Sequence, residues 1–240
     1  MEGKYEATVS SNGNSENTGW ESVAAMAGKQ AGENHEVASE VKVRLLDPEK
    51  DDLNRAANLI YQVDPYICPD FFGDAERAEK MGPLIFGEEG GPFDPNHTIV
   101  AEEDGKLLGI LVYADNTIKP WDTEGMKEKV ENLGIEMPEQ FDRANKNYME
   151  AVTEDARSLP DGVAEVEWCA TDLSARGKGV ASKMFEKFLS LPYQEQHLTV
   201  LADNPPAIHL YEKNGFGIVS SQTGYPDESV KTHNMVRKNK

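Results

Sequence analysis

Residues 169–189, CATDLSARGKGVASKMFEKFL, pass from an extended apolar run into a helical one through Arg176, Gly177, Lys178 and Gly179. A strand that becomes a helix through glycines aims the helix's first backbone N–H groups at the turn. The helix dipole adds positive potential there. The whole chain carries a net charge of −19, yet this turn holds two positive charges and no carboxylate. Glycines let an anion approach the backbone, so the turn is a candidate diphosphate cradle. A tight turn with solvated Arg176 and Lys178 explains the same spacing. No G-x-x-x-x-G-K-[ST] and no G-x-G-x-x-G stretch is present, which argues against nucleotide-hydrolysing and dinucleotide-binding domains.

The rest of the chain supplies the context of a strand–turn–helix unit. Residues 1–40 are polar and rich in Gly, Asn, Ser and Glu, and read as a flexible leader with a short helix near residues 21–29. From Val41 the pattern is globular. VKVRLL alternates as a strand, and Leu53, Ala56, Ala57, Ile60 and Val63 share one helical face. A second short helix follows a loop broken by Pro65, Pro69 and Gly73. HTIVAEEDGKLLGILVYA reads as two strands joined by a tight turn. Residues 115–160 are polar and predict two helices, one striped by Met126, Val130 and Leu133, the other by Phe141, Ala144, Tyr148, Val152 and Leu159. VAEVEWCAT is a strand, GKGVASKMFEKFLSL a helix and HLTVLAD a strand. NPPAIHLYEKNG is a helix stopped at Gly215, and two strands end the chain. The order predicts an α/β fold with one mixed sheet and helices on both faces.

Composition narrows the function. The acidic balance argues against a nucleic-acid partner and suits cationic substrates, although solubility alone also explains it. Two cysteines, Cys68 and Cys169, are too few for a disulfide framework and lack metal spacing, which points to a reducing cytoplasm. No apolar run reaches membrane-spanning length and no signal pattern opens the chain, so no membrane partner is expected. His97, His197 and His209 are scattered without ligand spacing, so no metal is expected.

Strict alternation in VAEVEWCAT puts Ala164, Val166, Trp168 and Ala170 on one face, and Glu165, Glu167, Cys169 and Thr171 on the other. Two carboxylates on one face of a mid-sheet strand suit ion pairing or an exposed polar face. They suit acid–base chemistry equally.

Two segments resemble the GNAT superfamily of N-acetyltransferases. RGKGVA, residues 176–181, is similar to the family's acyl-CoA signature. NPPAIHLYEKNGF, residues 204–216, is similar to its downstream Asn, Ala, Leu-Tyr-Glu-Lys and Gly-Phe pattern. The resemblance spans roughly residues 41–238, a GNAT-like domain taken to 240, and is weakest at 115–160, which reads as a helical insertion. It implies a mostly antiparallel sheet splayed between the fourth and fifth strands. It also implies acetyl-CoA as cosubstrate, with its pyrophosphate at Arg176, Gly177, Lys178, Gly179, Val180 and Ala181. The pantetheine arm would run along Cys169, Ala170 and Thr171, and Asn204 and Ala207 would contact the cofactor. Asn204 can equally act as a plain helix cap.

The resemblance further implies roles. Glu165 stands where the histone-modifying branch carries its general base, and Glu167 is the alternative. Tyr211 stands where many members place the acid that protonates the leaving thiolate; a packed structural tyrosine is the plain alternative. No His–Asp set supports Cys169 as a nucleophile, so direct transfer is expected. The loop holding Tyr61, Asp64, Tyr66, Asp70, Phe71 and Phe72 would border the acceptor, with residues 115–160 as lid or wall. The expected function is acetyl transfer to a primary amine of a small molecule or peptide, by a monomer or homodimer. The alternatives are another acyl-CoA, an oxygen acceptor, or a non-catalytic CoA-binding module.

Overall fold

A computed structural model describes residues 40–223 and 229–239, the side chain of Asn147 excepted. The expectations for residues 1–39 lie outside the described residues. Strand β1 (Lys42–Leu45) leads into helices α1 (Leu53–Tyr61), α2 (Ile67–Phe72) and α3 (Ala75–Ile85). The expected second helix is α3, and the stretch before it, expected as a loop, carries the short helix α2, which ends where Gly73 takes φ +87°, a conformation that favours glycine. Hairpin β2 (Thr98–Glu103) and β3 (Lys106–Ala114) turns through Asp104 and Gly105, both at positive φ as a two-residue turn requires. After α4 (Thr123–Asn132) comes a helix of three parts, α5 (Phe141–Ala144), a π-helical stretch Asn145–Glu150, and α6 (Ala151–Arg157). Strand β4 (Val163–Thr171), α7 (Val180–Leu189), β5 (Glu195–Leu201), α8 (Pro205–Lys213), β6 (Gly217–Thr223) and β7 (Lys231–Lys238) complete the domain.

The seven strands form one sheet in the order β1-β2-β3-β4-β5-β7-β6. Only β4 and β5 run parallel; every other neighbouring pair is antiparallel. Alternation on β3 feeds two cores, as a pleated strand must. Ile110 and Val112 pack with α1 to α5, whereas Leu111 and Tyr113 pack with α7 and α8. Helices thus cover both faces, as the order of elements predicts. Among the described residues no helix is long and apolar enough to cross a membrane.

Strand β4 departs from strict alternation. Val166 pairs with Tyr113 and Trp168 with Val112, so Glu167 is an extra residue without a partner on β3. Such a bulge inverts the facing of everything beyond it. Ala164 and Val166 accordingly belong to the α7–α8 core, and Trp168 and Ala170 to the opposite one. The expectation that Glu165 and Cys169 share a face is therefore corrected. Cys169 packs against the α7–α8 core, and Glu165 pairs with Ala114 on the other face.

The π-helical stretch has a parallel effect. The expected stripe of Phe141, Ala144, Tyr148, Val152 and Leu159 holds only at its start. The buried positions are Phe141, Ala144, Asn145, Met149, Thr153 and Ala156. One residue inserted into the helical repeat buries Met149 and Thr153 in their place and leaves Tyr148 and Val152 half-buried, Tyr148 at the edge of the core against Trp168. The turn is anchored by buried Asn145, which accepts from Trp121 Nε1 at 2.5 Å and donates to Thr123 Oγ1 at 2.8 Å. Leu133, expected in the α4 stripe, is 52% exposed, because the helix ends at Asn132.

Helix α7 lies close on the sheet at Gly109. A Cβ there would come 2.8 Å from Met184 Cε and 3.0 Å from Val180 Cγ1. Gly109 is also the partner of Thr171 at the end of β4. One glycine thereby seats the start of α7, and the turn before it, beside the end of β4.

Candidate active site

The pairing of β4 with β5 covers only Val163 to Val166 against Glu195 to Leu198. Beyond that point β4 continues on β3 alone, to Thr171, while β5 continues on β7 alone, to Leu201. The two strands diverge, and the backbone of β4 from Glu167 onward has no partner on its β5 side. A cavity of about 550 Å³ opens in this gap.

The cavity gathers six of the residues singled out in the sequence. Glu165, Glu167 and Cys169 line it from β4, and Asn204, Ala207 and Tyr211 from α8. Ala170 does not line it, because its side chain is buried in the opposite core. Thr171 ends the strand beyond the lining. The turn at 176–181 forms a separate surface at the far end of β4. Arg176, Gly177, Lys178 and Gly179 are exposed there, Val180 is buried and Ala181 half-buried.

In that turn Gly177 and Gly179 sit at φ +76° and +78°, and a Cβ on either would meet nothing within 4 Å. Backbone conformation and open approach, not packing, therefore require glycine at both. Gly179 is the N-cap of α7 and offers no side-chain hydrogen bond to the first turn. The first helical bond runs from Lys183 N–H to the Gly179 carbonyl at 3.0 Å. The amides of Val180, Ala181 and Ser182 thus precede the helical ladder, an arrangement that suits an anion. Asp172 pins the start of the turn. It accepts from Ser174 N–H at 2.8 Å and pairs with Arg55 of α1.

Tyr211 is 9% exposed, and its ring packs on Phe185 and Phe216 at 5.2 and 6.3 Å. Its hydroxyl finds no hydrogen-bond partner among the described residues, so packing accounts for the ring and not for the hydroxyl. Burial raises the phenol, with a contribution from Cys169, and burial pushes the Cys169 thiol up to about 12. Cys169 is therefore a protonated thiol at neutral pH and a poor nucleophile.

The two carboxylates of β4 line the same gap. Burial raises the Glu165 carboxyl; His197 pulls it back, and Asp155 pushes it up again. Burial raises Glu167 well above the ordinary range, reinforced by Glu165 and Asp155. Neither carboxylate hydrogen-bonds to a described residue. Tyr148 stands edge-on to Trp168 at 5.3 Å, and burial together with Glu167 and Asp64 raises its phenol.

Sequence reasoning missed Tyr148, Val152 and Asp155 as cavity residues. Their spacing along the helix was visible, but the π-helical turn that aims them was not. Of the loop expected to border the acceptor, only Asp64 lines this cavity, beside Val63 and Ile67. Phe71 and Phe72 are fully buried core residues. Burial of such side chains stabilises by about 1.5–3 kcal/mol each, which accounts for them without a ligand. His97 bridges Asp94 at 3.2 Å and Asp115 at 3.4 Å, far in sequence from any cavity residue of β4.

Comparison with known proteins agrees with this geometry. A sequence profile of the acetyltransferase (GNAT) family matches residues 68–216, more than half of the chain. No curated protein matches the chain. Among solved structures, an N-acetyltransferase from Staphylococcus aureus Mu50 is similar at 19% identity and a TM-score of 0.56, covering 81% of this chain and 99% of its own. A second, described only as an acetyltransferase, is similar at 18% identity and a TM-score of 0.52, covering 83% of this chain and all of its own. At such identities the likeness establishes the fold, and the profile match establishes the family. The chain belongs to the GNAT acetyltransferase family, enzymes that transfer an acyl group from an acyl-coenzyme A.

Proposed function

We propose that the protein transfers an acetyl group from acetyl-CoA directly to a primary amine of a small molecule or peptide. The observation that carries this reading is the unpaired β5-facing edge of β4. It opens into a cavity that Glu165, Glu167 and Tyr211 all line. The edge offers backbone groups to an extended amide-bearing arm, which would add to the sheet as a strand does. The residues fit the cosubstrate at both ends. The turn from Arg176 to Ala181 would hold the pyrophosphate on uncapped amides, and Cys169, Ala170 and Thr171 would pair with the arm through their backbone. Asn204 already caps α8 by accepting from Ala207 N–H at 3.3 Å, which leaves its amide group free to donate.

Bound acetyl-CoA supplies an activated carbonyl and a thiolate leaving group. The chain supplies the proton transfers. Glu165 takes a proton from the acceptor ammonium, directly or through a water, and its raised pKa brings it closer to the amine it must deprotonate. The freed nitrogen bonds to the acyl carbon as the carbon–sulfur bond breaks, and the nitrogen's second proton leaves as the amide forms, balancing the one that Tyr211 gives up. Tyr211 donates its proton to the departing sulfur, and burial keeps it protonated until then. Glu167, at the bulge, is the alternative base. Cys169 takes no covalent part, because its thiol stays protonated. Thiol release from acetyl-CoA with a panel of amines tests the reading. Amine-dependent release supports it, and release that no amine accelerates contradicts it.

A further inference from the structure

The cavity wall is charged in one sense only. Asp64, Asp155, Glu165 and Glu167 line it, and no Lys, Arg or His does so among the described residues. Asp64 spends one carboxylate oxygen, Oδ1, on the N–H groups of Tyr66 and Ile67, at 2.7 and 2.8 Å. Glu167 and Asp155 have no ion-pair partner among the described residues, and Glu165 feels only His197, its neighbour on β5, which itself pairs with Glu195 at 2.8 Å. The grouping is not one that would hold a metal ion. A second feature marks the same cavity as built for a ligand. Tyr211, nine-tenths buried, lines it with a hydroxyl that has no partner among the described residues.

The carboxylates sit at two depths. Glu165 and Glu167 lie half-buried on β4, and Asp155 lies exposed at the rim on α6. The π-helical stretch turns Tyr148, Ala151, Val152 and Asp155 onto one helix face toward the cavity. That face joins an aromatic ring to a carboxylate, the pairing that suits an ammonium.

A single ammonium does not match this wall. The nitrogen that attacks must first lose its charge, so a monoamine gives up its attraction to the carboxylates as the transition state forms. A second, unreactive cation on the acceptor keeps that attraction throughout. Resting on the acyl-transfer reading of the cavity, we infer that the acceptor is a small dication of the diamine or polyamine class. Its reacting nitrogen meets Glu165, and its second ammonium lies toward Asp155 and Tyr148. The volume holds a short aliphatic chain beside the acyl arm.

Calorimetric titration of diaminobutane and of butylamine into the protein tests this without catalysis, since no acyl donor is present. The diamine is expected to bind about tenfold or more tightly, with the difference shrinking as salt is raised. Asp155→Asn, a change at an exposed helix position, should bring the two amines to within about twofold, the scatter expected once that pairing is gone. Equal affinities, no measurable binding of either amine, or a preference that survives Asp155→Asn would overturn the inference. A parallel titration with coenzyme A keeps the two readings apart. Its failure would count against acyl transfer, and the amine result would stand on its own.

Discussion

Val166 and Leu198 are the last pair of residues joining β4 to β5. One residue further on, Glu167 has no partner on either neighbouring strand. The point where the sheet opens and the point where β4 bulges therefore coincide. A central strand leaves backbone groups unpaired only where something else satisfies them. Here the unpaired edge faces the cavity.

The turn before α7 gives the first prediction. Gly179 sits in the left-handed region with open space around it, so Gly179→Val meets no clash and costs about 1–2 kcal/mol in backbone strain. The new side chain also stands where a phosphate would approach. Coenzyme A affinity by calorimetry should fall about tenfold or more, since one lost charge-assisted bond is worth about that much. Unchanged affinity would place the pyrophosphate elsewhere.

Tyr211→Phe separates ring from hydroxyl. The ring contacts with Phe185 and Phe216 survive, and no hydrogen bond to a described residue is lost. The melting temperature should stay within about a degree, since the variant loses none of the contacts that dominate mutational effects. Turnover should fall more than the Michaelis constant for acetyl-CoA rises, because proton donation matters only as the thiolate forms. Intact turnover would leave Tyr211 a packing residue.

Glu167 predicts a gain in stability. Its folded pKa is raised, so the folded state holds the proton more tightly than the unfolded chain does. The penalty is absent below the ordinary glutamate range and grows as pH rises through the window up to the folded value. Glu167→Gln removes a half-buried carboxyl whose ionised form is disfavoured in the folded state, and should raise the melting temperature at neutral pH, by about 2–4 °C for each kcal/mol released. The gain should vanish in acid. A variant that is less stable at neutral pH would mean that the carboxylate is already compensated.

Asp115 behaves oppositely. Burial alone would raise it, but hydrogen bonds from Thr117 and from Tyr193, the latter at 2.7 Å, outweigh burial and lower it. Its contribution is fully present above the ordinary aspartate value and is lost as pH falls through the lower folded value. Denaturant titrations of wild type and Asp115→Asn should therefore converge in acid and differ at neutral pH, by about 1–3 kcal/mol. A constant difference across pH would contradict the assignment.

The sequence carried the parts of this design that rest on local chemistry. Asp104-Gly105 marks a tight hairpin, Asn204 a helix cap, and Gly177 and Gly179 an open turn; each follows from what one residue's backbone or side chain permits. The bulge at Glu167 left no trace, because both faces of β4 are covered by helices. Apolar residues recur at every second position whether or not the facing inverts between Val166 and Trp168. The π-helical turn at Asn145–Glu150 was hidden for a similar reason. A regular stripe through Tyr148 and Val152 is present in the sequence, but the inserted residue turns it to the cavity and buries Met149 and Thr153 instead.

The role of Glu165 is the centre of this account, and a pH–rate profile of Glu165→Gln tests it most directly. With acetyl-CoA and a diamine acceptor, the variant should bind coenzyme A normally and lose activity on the order of 10²-fold near neutrality, the usual effect of removing a general base. The loss should shrink as pH rises and the amine deprotonates unaided. A variant that matches the wild-type rate across about pH 6 to 9 would contradict the assignment and pass the role to Glu167 or to a water chain.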